Sequence, residues 1–244
     1  MKFVPRLFVD DMLGAGVEIE ISKAHCHYLF NVLRLEKGES FLAFDGKNGE
    51  WRIEIIEASK KHGVGKCATQ TRAQDTLPNL TLYFAPIKGH RNDAIIEKAT
   101  ELGAAHIVPI ITEHTIVRKT NTEKMRQIVI EAAQQCERLC VPQIHEPISL
   151  EQLLANLDKN QTIIFADEAG EGHFDAHSLA NASESIGLLV GPEGGFSSSE
   201  REMIRDCKQA IATSFGKRIL RADTATYAGL TLIQALWGDW KKQT

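Results

Sequence analysis

The chain has no apolar run long enough to cross a bilayer and no apolar core behind its start, Met1-Lys2-Phe3-Val4-Pro5-Arg6. Neither a membrane span nor a secretory signal is legible in it. Cysteine is sparse, five residues without the spacing of a secreted disulfide framework, which predicts a reducing, cytoplasmic setting. A basic excess is also missing: 28 Lys and Arg stand against 32 Asp and Glu, for a formal charge of −4. A diffuse positive field is thereby excluded as a means of holding nucleic acid, and only a shaped site remains. Residues 1–72 are the more basic part, with 11 Lys and Arg to 10 Asp and Glu, against 17 to 22 in the remainder. Repeats and low-complexity tracts are lacking, as are the phosphate-binding patterns Gly-x-x-x-x-Gly-Lys-Ser/Thr and, in a strand-turn-helix setting, Gly-x-Gly-x-x-Gly. Cys136 and Cys140 would share one face of a helix, but no further ligand residues surround them, so no metal is expected. His25, His27, His173 and His177 sit in no motif and are read as surface or packing residues.

What is present falls into two patterns. Up to about residue 72 the pattern is one of short strands. Val17–Ile21 alternates strictly, and Ser40–Phe44 and Glu50–Ile56 flank the hairpin signal Asp45-Gly46-Lys47-Asn48-Gly49. One helix interrupts them, capped by Ser22, with Leu29, Val32 and Leu33 as its apolar face and Gly38 beyond its end. Residues 72–78, polar and closed by proline, read as a linker. Beyond it, strand-like runs at 80–85, 106–111, 161–166, 186–190 and 210–213 alternate with helical patterns, which predicts a parallel sheet with helices on both faces. The last helix is read over 225–240 with Asp223 or Thr224 as its N-cap.

Two loops carry the chemistry. The buried run 186–190 enters Gly191-Pro192-Glu193-Gly194-Gly195, followed by Ser197 and Glu200 at capping-box spacing. Glycine admits positive φ and lets a ligand approach the main chain. The second loop, Phe215-Gly216-Lys217-Arg218-Ile219-Leu220-Arg221-Ala222-Asp223-Thr224, sets two aliphatics between two arginines. Such a loop either folds against an apolar ligand with a charged rim or plugs the sheet.

Both loops, together with Val4-Pro5-Arg6-Leu7-Phe8, His27-Tyr28-Leu29-Phe30-Asn31-Val32-Leu33-Arg34-Leu35, Lys88-Gly89, Ile96–Gly103 and Glu131–Gln135 with Arg138, resemble the RsmE family of small-subunit ribosomal RNA methyltransferases within the SPOUT superfamily. The match departs at Asp223, where the family pattern has glutamate. The resemblance implies an α/β fold: a SPOUT-type parallel sheet with a C-terminal trefoil knot over 73–244, preceded by a small PUA-like β-barrel, an RNA-binding domain, over 1–72. It implies S-adenosyl-L-methionine as methyl donor, N3 of one uridine in 16S ribosomal RNA of the small subunit as acceptor, and a homodimer formed through the knotted domain, with Tyr227, Trp237 and Trp240 as candidate anchors. Val190, Gly191, Pro192, Glu193, Gly194, Gly195, Ile219, Leu220, Arg221, Ala222 and Thr224 are the expected cofactor residues, with Phe165–Glu168 as a third wall. Arg221 is expected to face the reacting base, and Arg6, Arg34, Lys88 and Arg91 the RNA. Glu97, Glu101 and Arg138 are read as an internal polar cluster. The alternative is a noncatalytic RNA-binding protein with a vestigial pocket.

Overall fold

A computed structural model describes residues 4–167, 179 and 184–240. They form two compact units, one of the described residues up to 76 with 133–141, the other of the described residues from 77 to 132 and from 142 onward. In the first unit, β1 (Arg6–Phe8), β3 (Ser40–Phe44), β4 (Glu50–Ala58), β5 (Gly63–Arg72) and β2 (Glu18–Glu20) lie in that spatial order in one sheet. Register shifts along the β4–β5 ladder curl the sheet, since each bulge bends its strand and sharpens the twist. The concave side buries Leu29, Phe41, Ile53 and Ile55 completely or nearly so. The predicted hairpin is present with 40–44 as read and its second strand running to Ala58.

Ser22 caps α1 (Lys23–Cys26) by accepting the His25 amide, but the helix continues over His27–Val32 with π winding. That winding corrects one expectation. An extra residue per turn rotates the face, so Leu29 is buried while Val32, read as apolar face, is 57% exposed. Arg34 then takes φ 58°, and the chain reverses with the Leu35 amide donating to the Leu29 carbonyl at 2.9 Å.

Residues 133–141 complete the first unit: Ala133, Leu139 and Val141 pack on Phe8 and Phe44, Gln134 accepts the Phe8 amide at 2.8 Å, and Arg6 makes the densest set of contacts. Arg6 donates Nε to Glu50 Oε2 at 2.6 Å, Nη1 to the carbonyls of Ala133 and Gln134, and Nη2 to those of Arg138 and Glu137. Its guanidinium also stacks 3.9 Å above the Phe44 ring. All five N–H donors of an arginine are thereby used. Glu137, at φ 61°, turns the chain so that these carbonyls converge. Helix α3 (Thr122–Gln135) stops before Cys136, so Cys136 and Cys140 do not share a helical face as expected.

The second unit is a parallel sheet in the order β12 (Ala210–Thr213), β10 (Gln161–Ala166), β11 (Ser185–Val190), β6 (Asn79–Phe84), β7 (His106–Ile111), β8 (Gln143–Ile144), with β9 (Ile148–Ser149) also on β7. The expected strands are all here; β8 and β9, two residues each, are too short to leave a periodicity. One face buries Tyr83, Ile110, Phe165 and Leu189 against Leu150 and Leu153 of α4 (Leu150–Ala155) and Ile204 of α5 (Ser198–Asp206). On the other, α2 (His90–Glu101) packs beside α6 (Ala222–Leu236). Helix α6 begins earlier than read, with Arg221 at the cap position and no side-chain cap, so neither Asp223 nor Thr224 is the N-cap. Small residues do let it come close: a Cβ on Gly229 would lie 2.8 Å from the Leu188 methyls of β11. Gln234, fully buried in α6, donates to the Leu102 carbonyl behind α2 at 2.9 Å and accepts the Asp239 amide. Glu97 and Glu101 pair with Lys98 on their own helix; Arg138 instead belongs to the first unit, where its carbonyl accepts from Arg6.

At the amino ends of the strands a cavity of about 620 Å³ is lined by Thr81, Tyr83, His106, His145 and Gln161 among others. His106 Nδ1 lies 3.1 Å from His145 Nε2. Burial lowers the pKa of both rings, and for His106 the neighbouring His145 lowers it further. Tyr83 donates to Gln161 at 2.9 Å, so the inner wall is internally paired.

Two outcomes are expected. Arg6→Ala should destabilise the protein by about 3–5 kcal/mol, because buried Glu50 loses its close cation and keeps only Arg72 at 3.9 Å; a urea midpoint equal to wild type would show that the carbonyl cluster rehydrates without cost. The histidine pair is held neutral in the fold, so its contribution is full above the ordinary value near 6.5 and is lost as pH falls from there toward the lowered folded values. Urea midpoints measured between about pH 7.5 and 5 should therefore fall, and His106→Gln should flatten that slope; a parallel slope in the variant would assign it to other groups.

Candidate functional site

The strand order reverses between β6 and β11: the chain lays β7 and β8 on one side of β6, then returns to place β11, β10 and β12 on the other. In open α/β sheets the crevice beyond the strands' carboxyl ends at such a point is where ligands bind. The loops leaving β6, β7, β10, β11 and β12 all rise there.

The loop after β11 is built tightly. Gly195 has φ 67°, and its amide donates to the Pro192 carbonyl at 2.9 Å. A Cβ on Gly191 would stand 2.6 Å from the Phe196 ring, and Phe196 meets Phe165 edge-on with centroids 5.2 Å apart. The expected capping box exists: Ser197 Oγ accepts the Glu200 amide while Glu200 Oε2 accepts the Ser197 amide at 2.9 Å. Glu200 is 5% exposed, and its other oxygen accepts the Glu113 amide at 2.8 Å, joining this loop to the turn that follows β7.

A cavity of about 190 Å³ is lined by Ala166, Val190, Gly191, Pro192, Glu193, Gly195, Phe196, Ile219, Leu220, Arg221, Ala222 and Ala225. Nine of the eleven residues singled out in the two loops thus meet on one cavity, although about thirty positions separate the loops. Gly194 is turned away and lines a much smaller recess with Lys88, His114 and Glu193; Thr224 lies exposed in the first turn of α6. Ile219 is 84% exposed at the rim, so it does not plug the sheet. Arg221 is exposed, with no side-chain partner among the described residues.

Of the third wall, Ala166 reaches the cavity. Asp167 instead turns to Arg201 Nη1 at 2.7 Å and to Arg205 Nη2, its side chain fully buried, and its amide donates to the Thr213 carbonyl at 2.9 Å. It is a strut between β10, β12 and α5. Glu168, His173 and His177 lie outside the described residues. Arg91, in the first turn of α2, pairs with Glu193, and Lys88 is exposed beside them. Arg34 is exposed in the first unit. Arg6 is corrected: it is 9% exposed and spends every donor inside its own unit, leaving none for a phosphate. His114 was not singled out, and the signal was Thr112-x-x-Thr115 directly after a strand, a turn built by two hydroxyls.

Among the described residues no cluster of three metal-ligating side chains occurs, and no helix is long and apolar enough to cross a membrane.

Residues 74–234 match a family model described as an RNA methyltransferase domain, and residues 26–66 one described as an RNA methyltransferase PUA domain. The ribosomal RNA small subunit methyltransferase E of Rickettsia conorii is 32% identical over 95% of this chain and 95% of its own. That of Synechocystis is 34% identical over 89% of this chain and 73% of its own. A crystal structure of the Neisseria gonorrhoeae ribosomal RNA small subunit methyltransferase E, bound to S-adenosyl methionine, superposes with a TM-score of 0.88 at 28% identity, covering 98% of this chain and all of that one. The parallel sheet carrying both loops and the separate curled PUA-like sheet, together with these likenesses over nearly the full length, make the chain a member of the ribosomal RNA small subunit methyltransferase E family, with the SPOUT-type fold.

Proposed function

We propose that the protein transfers a methyl group from S-adenosylmethionine to N3 of a uridine in 16S ribosomal RNA. The observation that carries this reading is the meeting of Val190–Gly195 with Ile219–Ala222 around one cleft of about 190 Å³ at the switch point of a parallel sheet. The residues fit the donor. Gly195 holds its positive φ without a side chain, and Leu220 and Ile219 offer apolar surface to a purine. Val190, Gly191, Pro192, Glu193, Gly195, Ile219, Leu220, Arg221 and Ala222 are the cofactor residues in this reading.

S-adenosylmethionine supplies an activated methyl on a good leaving group, so the protein's work is positioning and handling of the proton. The uracil N3–H is weakly acidic, and its loss costs about 3 kcal/mol at neutral pH. Arg221, exposed where it lines the cleft, is assigned to stabilising the uridinate oxygens. Arg34, Lys88 and Arg91 are the cations assigned to RNA. Arginine suits that work through its planar fork, which bonds phosphate and stacks on bases. Residues 1–72 are assigned to RNA binding and 73–244 to methyl transfer, as a cytoplasmic homodimer. Trp240, 52% exposed beyond α6, is the aromatic side chain that supports association.

Mass mapping of 3-methyluridine in 16S ribosomal RNA from cells lacking the gene should show one site lost; its persistence would reassign the substrate. Gly195→Val should abolish S-adenosylmethionine binding by calorimetry while unfolding stays cooperative, since a β-branched residue cannot hold φ 67°. Unchanged affinity would remove this loop from the site. Arg221→Ala should leave donor affinity within a few fold and lower turnover about 10²-fold; a wild-type rate would exclude the arginine from the chemistry.

A further inference from the structure

Methylation at N3 needs a group to take the N3 proton, and the acids around the cleft are engaged. Glu193 is paired with Arg91, Asp167 is buried between Arg201 and Arg205, and Asp223 accepts the Thr224 amide at 2.9 Å. Arg221 is a cation with no lone pair to offer. His114 is differently placed. Its Nδ1 lies 3.1 Å from the Gly194 carbonyl and 3.1 Å from the Gly195 carbonyl. Carbonyl oxygens only accept, so Nδ1 must carry the hydrogen, and in the neutral ring the lone pair then sits on Nε2. The exposed ring stands beside a recess that shares Pro192 and Glu193 with the donor cleft.

The turn that presents this ring is rigid. Thr112 and Thr115 are 4% and 3% exposed, and their hydroxyls lie 2.8 Å apart. The Thr112 amide donates to Thr115 Oγ1 at 2.9 Å, the Thr115 amide returns to the Thr112 carbonyl, and Glu200 holds the Glu113 amide. Two buried threonines and one buried carboxylate thus position a single exposed imidazole, whose own proton is committed to the glycine loop. A fixed tautomer on a braced turn is the arrangement a general base requires.

We propose that His114 is the proton acceptor of the methyl transfer, an inference that rests on the reading above. Nε2 takes the N3 proton of the uridine; the nitrogen pair so released attacks the methyl carbon as the carbon–sulfur bond breaks with its electrons on sulfur. The products are 3-methyluridine, S-adenosylhomocysteine and an imidazolium that returns its proton to solvent.

The test separates this role from that of a loop pin. In His114→Asn the side-chain amide still donates to the two glycine carbonyls but offers no basic lone pair. Donor affinity by calorimetry should stay within about threefold, while turnover on small-subunit RNA falls about 10²-fold or more, the range of general-base contributions. A wild-type rate, or a rate lost together with donor binding, would overturn the proposal. Two further arms do not depend on that variant. Free imidazole should restore turnover to His114→Ala, and the defect should shrink on RNA carrying 5-fluorouridine at the target, whose N3–H is more acidic; no rescue together with an equal defect would count against it. The ¹⁵N spectrum of the free wild-type protein should show His114 hydrogen on Nδ1, and hydrogen on Nε2 would refute the assignment without any assay. If wild-type protein does not methylate the RNA at all, the functional reading fails instead, and the tautomer measurement still stands alone.

Discussion

One buried carboxylate ties the loops of the second unit together. Glu200 accepts the Ser197 amide with one oxygen and the Glu113 amide with the other, so the same residue closes the N-terminus of α5 and fixes the turn after β7. Capping boxes ordinarily serve one helix. Here the cap also sets the spacing between the glycine loop and a neighbouring turn, and it does so with 5% of the residue exposed, where an unpaired oxygen would be costly. Asp167 plays a comparable part on the other side of α5, joining the ends of β10 and β12 to Arg201 and Arg205. Between these two anchors the loop Gly191–Phe196 has little freedom, which suits main-chain recognition: a backbone that must read a ligand edge has to be in place before the ligand arrives.

Much of this frame was legible in the residue order. The strands 106–111 and 161–166 coincide with their apolar runs because both are buried along most of their length, which leaves a continuous hydrophobic signal. The capping box at Ser197 and the hairpin at Asp45–Gly49 were visible because they are local devices. The meeting of the two loops was readable only as the joint meaning of two motifs, since loops some thirty residues apart carry no mutual periodicity. Failures occurred where tertiary context overrode local pattern. Val32 fits an α-helical apolar stripe, yet π winding turns it outward. Asp223 has the chemistry of a cap, but α6 starts before it. A knotted path leaves no periodic trace at all, because threading is a property of the closed chain and not of any window in it.

Arg6 shows why residue type alone misleads about nucleic-acid binding. In sequence it sits in a motif shared with RNA-modifying enzymes and carries the right charge. In the fold its guanidinium meets a carboxylate, four carbonyls and an aromatic face, so its whole hydrogen-bonding capacity is turned inward. Arg34 is the opposite case. An arginine at φ 58° is held in a backbone region that glycine or asparagine occupies with less strain, and its side chain is left to solvent.

The recruitment of residues 133–141 into the amino-terminal unit also bears on biosynthesis. A nascent chain emerging from the ribosome exposes the first 76 residues well before the carbonyls of Ala133, Gln134 and Arg138 exist to receive Arg6. Vectorial folding can therefore not finish the smaller module first. Its closure waits on translation through the first third of the larger one, and a cut anywhere in the connecting segment 73–78 would sever a module whose last piece lies downstream.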